Sequence, residues 1–421
     1  MAAAQLHAAP EPASCPQGVP EGTRCFNGRD TEGAYYWIAV PADWNKVLVV
    51  HAHGGPELGP PELSRSTEDL QRWAITLKAG YAWAGSTYRR GGYGVTMAAE
   101  DTERLRKVFV ASFGPPRRTL LHGQSYGAGV AAKAVEMYGP ASYDGALLTS
   151  GVLGGGERAY SFRLDLRVVY QYYCKNHPRP DEPQYPLWQG LPADSAMTRA
   201  ELSRRVDECT GLQKPAAQRT EQQKANLAAI TNVIGIKEGA LLGHLSWATW
   251  LFQDLVQKRI GGGNPFDNTR SRYRSSPDDA ALNTGVLRYA ADPAAVRALN
   301  EDSRPAGQLT LPVLTFRASG DPTAFVELAT EYQGIVNAAG KSGLLVQAFS
   351  DETAHSYLGD PEYTALFDAL LAWVDKGEKP SAQGLARACR TMEVRYGPGC
   401  RFTPDYASAP LDTRLPAPTW P

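Results

Sequence analysis

Hydrophobic positions along this 421-residue chain fall into two rhythms. Short, nearly unbroken apolar runs alternate with longer stretches in which apolar residues recur every three or four positions. The first kind reads as strands buried on both faces of a sheet, the second as helices packed against it. Strands are predicted over residues 34–40, 46–52, 81–87, 119–124 and 144–149. Helices are predicted over 67–79, where Leu70, Trp73, Ala74 and Leu77 share a face, over 96–113, with Leu105, Val108 and Phe109, and over 127–138. The same rhythm returns with strands at 311–316 and 344–349 and helices at 324–340 and 361–376. Alternation at this length predicts an α/β protein, a mostly parallel central sheet flanked by helices.

Between these two blocks the rhythm changes. From about 151 to 304 helical patterns dominate, at 164–173, 198–209, 222–234 and 241–259, and no buried strand interrupts them. The expected organisation is therefore an N-terminal arm over 1–24, a core built from 25–151 and 306–378, a helical insertion over 152–305, and a tail over 379–421. The first 22 residues are rich in alanine and proline and are expected to be poorly ordered. The tail is proline-rich and carries the last two cysteines.

Composition narrows the class. With 43% hydrophobic and 21% charged residues and a formal net charge of -1, the chain has no electrostatic reason to bind nucleic acid or an anionic membrane. No apolar run reaches the roughly 18 residues needed to span a bilayer, so a soluble protein is expected. Its six cysteines fall in neighbouring pairs: Cys15 with Cys25, Cys174 with Cys209, Cys389 with Cys400. Local disulfides in an exported protein, secreted or periplasmic and with its leader removed, are the expectation; the alternative is six reduced thiols in a cytosolic enzyme. No C-x-x-C spacing or histidine pairing points to a metal, and no cofactor is expected.

Candidate chemistry centres on Thr119-Leu120-Leu121-His122-Gly123-Gln124-Ser125-Tyr126-Gly127-Ala128-Gly129. An apolar strand runs into a turn with serine at its tip, and small residues on either side open a helix. Gly123 and Gly127 let strand and helix approach closely, which lifts the Ser125 hydroxyl above the sheet and aims a helix N-terminus at it. A serine hydroxyl needs a base, and the base needs an acceptor to orient it. His355 follows the last predicted strand and Asp321 the one before, so both leave the sheet at the edge where Ser125 emerges. Asp351 and Asp360 flank His355 at spacings that suit loop capping. His51 and His122 lie in buried strands and are expected to be hydrogen-bonded core residues. The Arg89-Arg90-Gly91-Gly92-Tyr93 stretch reads either as a solvated surface loop or as lining an entrance.

In this order, Ser125, Asp321, His355, the chain resembles the α/β-hydrolase family, with the helical insertion where that family carries its cap. The resemblance covers roughly residues 25–151 and 306–378. It implies Ser125 as nucleophile, His355 as general base and Asp321 as its orienting acid. His53-Gly54-Gly55-Pro56 resembles the family's oxyanion loop, which implies the amides of Gly55 and Tyr126 as donors, with Gly54 in place of Gly55 if the loop turns one residue early. His53 and Gly54 would then line the substrate site. In the cap, Trp247 and Trp250 would roof a pocket for a hydrophobic or aromatic substrate, or else pack in the core. The expected activity is hydrolysis of a small or polymeric carboxylic ester. The alternative is a peptidase or amidase of proline-iminopeptidase type, which would need cap carboxylates such as Glu201, Asp207 or Glu208 facing the pocket. Acyl and alcohol specificity and oligomeric state stay open at this stage.

Overall fold

A computed structural model describes residues 9–414. They form two compact units, one built from residues up to 154 together with 303–408, the other from 155–302 together with the segment that starts at 409.

The first unit is organised on a nine-stranded sheet. Its strands are β1 (Glu11–Ala13), β2 (Arg24–Arg29), β3 (Tyr35–Val40), β4 (Val47–Ala52), β5 (Ala82–Ser86), β6 (Arg118–Gln124), β7 (Gly145–Thr149), β8 (Val313–Ala318) and β9 (Leu345–Ser350). They lie in the order β1-β2-β3-β5-β4-β6-β7-β8-β9. The pairs β1·β2, β2·β3 and β3·β5 are antiparallel, and every later pair is parallel. β4, β6 and β8 are buried along their whole length apart from the partly exposed first residue of β6. That burial accounts for the unbroken apolar runs. On one face Val49, Trp73, Trp83, Leu120, Leu147, Phe316, Tyr363 and Phe367 belong to one hydrophobic cluster, to which the Leu63–Arg72 and Asp360–Lys376 helices contribute. Burying each of these large side chains contributes about 1.5–3 kcal/mol. Because β4 to β9 run in parallel, the loops that follow them leave at one edge.

Three local expectations change. Residues 9–22 are not a loose arm: β1 pairs with β2, Glu11 opposite Asn27 and Ala13 opposite Cys25, and the Cys15–Cys25 disulfide, Cα atoms 5.2 Å apart, closes the connection. Glu-Pro-Ala carries no strand signal. Main-chain pairing at a sheet edge, where proline is tolerated, makes the strand. Residues 1–8 lie outside the described residues. The helix expected over 67–79 is two, Leu63–Arg72 and Ile75–Lys78. The tail contains a helix, Ala382–Tyr396, which buries Leu385, Ala386 and Cys389; Cys389 is bonded to Cys400. Residues 415–421 of that tail lie outside the described residues.

The second unit is helical. Its main elements are Phe162–Cys174, Arg199–Thr210 and Glu221–Ile234, followed by a helical run from Leu241 to Arg259 with two π-turns, Trp247–Leu251 and Leu255–Arg259. The Thr198 hydroxyl caps one helix by accepting from the Glu201 amide, and Thr220 and Gln223 form a capping box on the next. The Cys174–Cys209 disulfide joins the first two of these helices. Among the described residues, no helix is long and apolar enough to cross a membrane.

Candidate active site

Ser125 sits between β6 and the Tyr126–Tyr138 helix with φ 58° and ψ -121°. This is left-handed backbone that a serine rarely adopts, at a cost of about 1–3 kcal/mol. Neighbouring contacts hold it there. The Ser125 amide donates to the Thr149 carbonyl at 2.9 Å, and the Ser125 carbonyl accepts from the amides of Ala128 at 3.1 Å and Val152 at 3.0 Å. The two glycines are required for space: a Cβ on Gly123 would stand 2.2 Å from the Gly127 carbonyl oxygen, and one on Gly127 would stand 2.0 Å from the carbonyl oxygen of Ala52.

His355 and Asp321 meet Ser125 at this edge. His355 Nε2 is 2.8 Å from Ser125 Oγ, and His355 Nδ1 is 2.8 Å from Asp321 Oδ2 and 3.0 Å from Oδ1. Asp321 is buried, and its Oδ1 also accepts from the amides of Thr323 at 2.8 Å and Ala324 at 3.0 Å. Those amides fix the carboxylate, which accepts a hydrogen bond from Nδ1–H and leaves the Nε2 lone pair facing the serine hydroxyl. Such an arrangement can draw a proton from Ser125 and return it to a leaving group. The flanking acids are engaged elsewhere, Asp351 with Arg401 at 2.7 Å and Asp360 with Tyr357.

The His53-Gly54-Gly55-Pro56 loop leaves β4, whose last residue, Ala52, pairs with Gly123 of β6. It therefore emerges beside the serine turn. A Cβ on Gly54 would be 2.7 Å from Gln124 Oε1, and one on Gly127 would be 2.6 Å from the His53 carbonyl oxygen. Gly55 has φ +135°, where a side chain would be strained, and a Cβ there would be 2.7 Å from the Glu57 amide. Tyr126 is the first residue of its helix, whose opening amides point out of the helix start. Its hydroxyl accepts from the Gly94 amide at 3.1 Å.

Around this edge His51 and His122 are the hydrogen-bonded core residues expected from the sequence, whereas Asp69, Tyr88 and Arg317 escape a reading of it. His53 Nδ1 is 2.6 Å from Asp69 Oδ2, and the Tyr88 hydroxyl donates to the His53 carbonyl at 2.8 Å. His51 and His122 are buried and bonded to each other, Nδ1 to Nδ1, at 2.9 Å. Burial pushes both imidazoles below their ordinary range. Arg317, also buried, donates to the carbonyls of Phe325 at 3.1 Å and Gly151 at 2.9 Å. Burial pushes its guanidinium down to about 10 against the opposing charges of Asp321 and Glu327. Arg89, from the arginine-glycine stretch, is tied to Asp101 at 2.7 Å and Glu100 at 2.8 Å.

Within the helical unit, Trp247 and Trp250 are partly exposed, and each carries a guanidinium over its ring, Arg163 at 5.1 Å and Arg199 at 4.9 Å. Phe252 is buried and stacks on Phe266 at 4.4 Å. A cavity of ≈ 420 Å³ in this unit is lined by residues between His177 and Arg205, among them Tyr185, Met197 and Glu201. The carboxylates that an amidase would turn toward substrate have partners inside the unit. Glu201 meets Arg205 at 2.6 Å and Arg204 at 2.8 Å, Glu208 meets Arg179 at 2.6 Å, and Asp207 accepts from the Gln213 amide at 2.8 Å. Among the described residues, no cluster of histidine, cysteine and carboxylate side chains is arranged to hold a metal ion.

No protein-family model matches the sequence, and no curated protein aligns with it significantly. Solved structures similar in chain path include an esterase from Aspergillus oryzae, with TM-score 0.48, 13% identity and coverage of 89% of this chain and 86% of that one. Feruloyl esterase B from Aspergillus oryzae gives TM-score 0.44 and 14% identity over 89% and 86% of the two chains. A hormone-sensitive lipase from a metagenome library gives 0.41 and 12% over 90% and 87%. Independently of these distant likenesses, a mostly parallel sheet covered by helices, with a serine raised on a tight turn between its central strand and the next helix, gives this chain the α/β-hydrolase fold.

Proposed function

We propose that the chain is a serine hydrolase that cleaves carboxylic esters through an acyl-enzyme. The observation that carries this reading is the continuous relay from Ser125 Oγ to His355 Nε2 at 2.8 Å and from His355 Nδ1 to Asp321 at 2.8 Å. His355 takes the hydroxyl proton as Ser125 attacks the ester carbonyl. The oxygen becomes an oxyanion held by the amides of Tyr126 and Gly55, or of Gly54. The alcohol leaves with the proton from His355, and water, deprotonated by the same imidazole, cleaves the acyl-enzyme and regenerates the serine.

Ester rather than amide is favoured because Glu201 and Glu208 are paired with arginines and Asp207 with a backbone amide. Each would have to give up or share these contacts to receive the free N-terminus that an aminopeptidase recognises. In the helical unit, Trp247 and Trp250 are proposed to bind a hydrophobic or aromatic part of the substrate, small or polymeric. The Cys15–Cys25, Cys174–Cys209 and Cys389–Cys400 disulfides support an oxidising compartment, hence a secreted or periplasmic enzyme.

The test is Ser125→Ala assayed with short p-nitrophenyl esters, beside fluorophosphonate labelling of the unaltered protein. Loss of turnover by several orders of magnitude and labelling at Ser125 are expected. Wild-type-like turnover in the variant would exclude the assignment.

A further inference from the structure

An oxyanion is stabilised only by amides that are already in place, so whatever holds the His53–Pro56 loop still matters to the chemistry. The loop has anchors on both sides. The Gly92 amide donates to the Glu57 carbonyl at 2.6 Å just beyond it. At its start, the His53 carbonyl accepts from Tyr88 at 2.8 Å, while the His53 ring meets Asp69 at 2.6 Å. Asp69 comes from the Leu63–Arg72 helix and is 3% exposed. Its other neighbours are His51 Nε2 at 3.6 Å from Oδ2 and Arg72 at 3.6 Å from Oδ1.

The contacts continue to the serine. His51 Nδ1 is 2.9 Å from His122 Nδ1, His122 Nε2 is 3.1 Å from Thr149 Oγ1, and the Thr149 carbonyl accepts from the Ser125 amide. One arrangement of protons serves this path throughout. In it the Thr149 hydroxyl turns to His122 Nε2 instead of the Gly123 carbonyl 3.4 Å away, His122 Nδ1–H donates to His51 Nδ1, and His51 Nε2–H faces, at 3.6 Å, the Asp69 carboxylate, which also receives His53 Nδ1–H. Burial alone would raise the Asp69 carboxyl, but His53 and His51 beside it outweigh that and hold it well below the usual carboxylate range. The carboxylate is thus the one negative end toward which these dipoles point.

We propose that Asp69 is a positioning residue for the oxyanion loop: it fixes His53, and through His51, His122 and Thr149 it holds that loop and the serine turn as one unit. The inference rests on the ester hydrolase reading of Ser125. Displacing catalytic groups by about 1 Å can cost on the order of a hundredfold in rate, so a loosened loop should reduce turnover more than substrate binding.

The experiment uses the full chain and the variants Asp69→Asn, His53→Gln and their double mutant. Readouts are kcat and KM for p-nitrophenyl acetate per titrated Ser125, and the rate of fluorophosphonate labelling, which also builds negative charge on oxygen. Asp69→Asn keeps the side-chain volume but turns one accepting oxygen into a donor. It is expected to lower kcat about tenfold or more with KM within about twofold, and to slow labelling in parallel. Because both changes break one contact, the double mutant should be no slower than the slower single mutant. Unchanged kcat in folded Asp69→Asn, or losses that multiply in the double mutant, would overturn the inference. Should Asp69→Asn not fold, His53→Gln removes the same bond from the other side and decides by the same kcat criterion. A wild-type protein that does not label at Ser125 refutes the hydrolase reading itself, and this inference with it. Labelling of the wild type together with unchanged turnover in the variant refutes this inference alone.

Discussion

Ser125 Oγ lies 2.8 Å from His355 Nε2 although 230 positions of chain separate the two residues. The contact is useful only while the imidazole keeps its proton on Nδ1, and Asp321 is what keeps it there. Asp321 Oδ1 is already bound by the amides of Thr323 and Ala324. In Asp321→Asn, the amide oxygen will take that place and turn its NH2 toward His355. The ring must then accept at Nδ1 and carry its proton on Nε2, pointing at the serine it should deprotonate. Turnover of p-nitrophenyl acetate is expected to fall by roughly 10⁴-fold, with circular dichroism and Tm close to the parent. Activity within tenfold of the parent would contradict this assignment of Asp321.

Arg317 supports the same loop from beneath. It donates to the carbonyl of Phe325, at the end of the segment that presents Asp321, and to that of Gly151, just after β7, so removing it unties the one from the other. Its burial also penalises the charge, as its lowered pKa of about 10 records. In Arg317→Met the relief of that penalty offsets the lost hydrogen bonds. The expected outcome is a loss of kcat of about tenfold or more with Tm shifted by only a few degrees. A large drop in Tm with normal turnover by the folded fraction would show that Arg317 serves stability instead.

Those two residues mark where the sequence was legible and where it was not. Ser125 could be read because a strand, two space-limited glycines and a helix leave a local imprint, and Asp321 and His355 because each follows an apolar run closely. Their meeting depends only on parallel strands ending at one edge. Arg317 and Asp69 left no comparable mark. Arg317 inside an apolar run reads as an interruption and Asp69 among polar neighbours as a solvent-facing residue, and the partners that explain them lie elsewhere, Gly151 at a separation of 166 residues and His53 in the loop after β4. The β1 strand was hidden for a similar reason, since its identity comes from pairing with β2 and not from its own side chains. The Ala382–Tyr396 helix has few large apolar residues to set a period.

The buried histidine pair makes stability depend on acid. Burial is the chief cause that lowers the pKa of His51 and His122 in the folded protein, while in the unfolded chain each binds a proton below about 6.5. The unfolded state therefore holds more protons as pH falls below that value, and folding stability declines by up to about 1.4 kcal/mol per pH unit for each histidine. Replacing His122 by Gln keeps a polar group for Thr149 but cannot titrate. Urea unfolding of the two proteins between pH 6.5 and 5 should show the variant with the shallower decline. Equal slopes would mean that His122 is already charged when folded.

Glu362 works in the opposite direction. It is fully buried, its Oε1 accepts from the Arg401 amide at 2.9 Å, and burial is the main cause that raises its pKa from the ordinary value to about 7. An acid whose folded pKa lies above its unfolded one keeps its proton longer in the folded state. Stability then falls as pH rises from about 4.5, where the unfolded chain ionises, to about 7, where the folded protein ionises too. Below that window the carboxyl is neutral in both states, and a glutamine amide, which can still accept from the Arg401 amide, is neutral at every pH. Glu362→Gln should consequently match the parent near pH 4.5 and gain on it progressively up to pH 7, after which the difference levels off. Differential scanning calorimetry at half-unit steps measures this directly. A difference in Tm that stays constant from pH 5 to pH 8 would mean that the Glu362 carboxyl ionises in the folded protein as readily as in the unfolded chain.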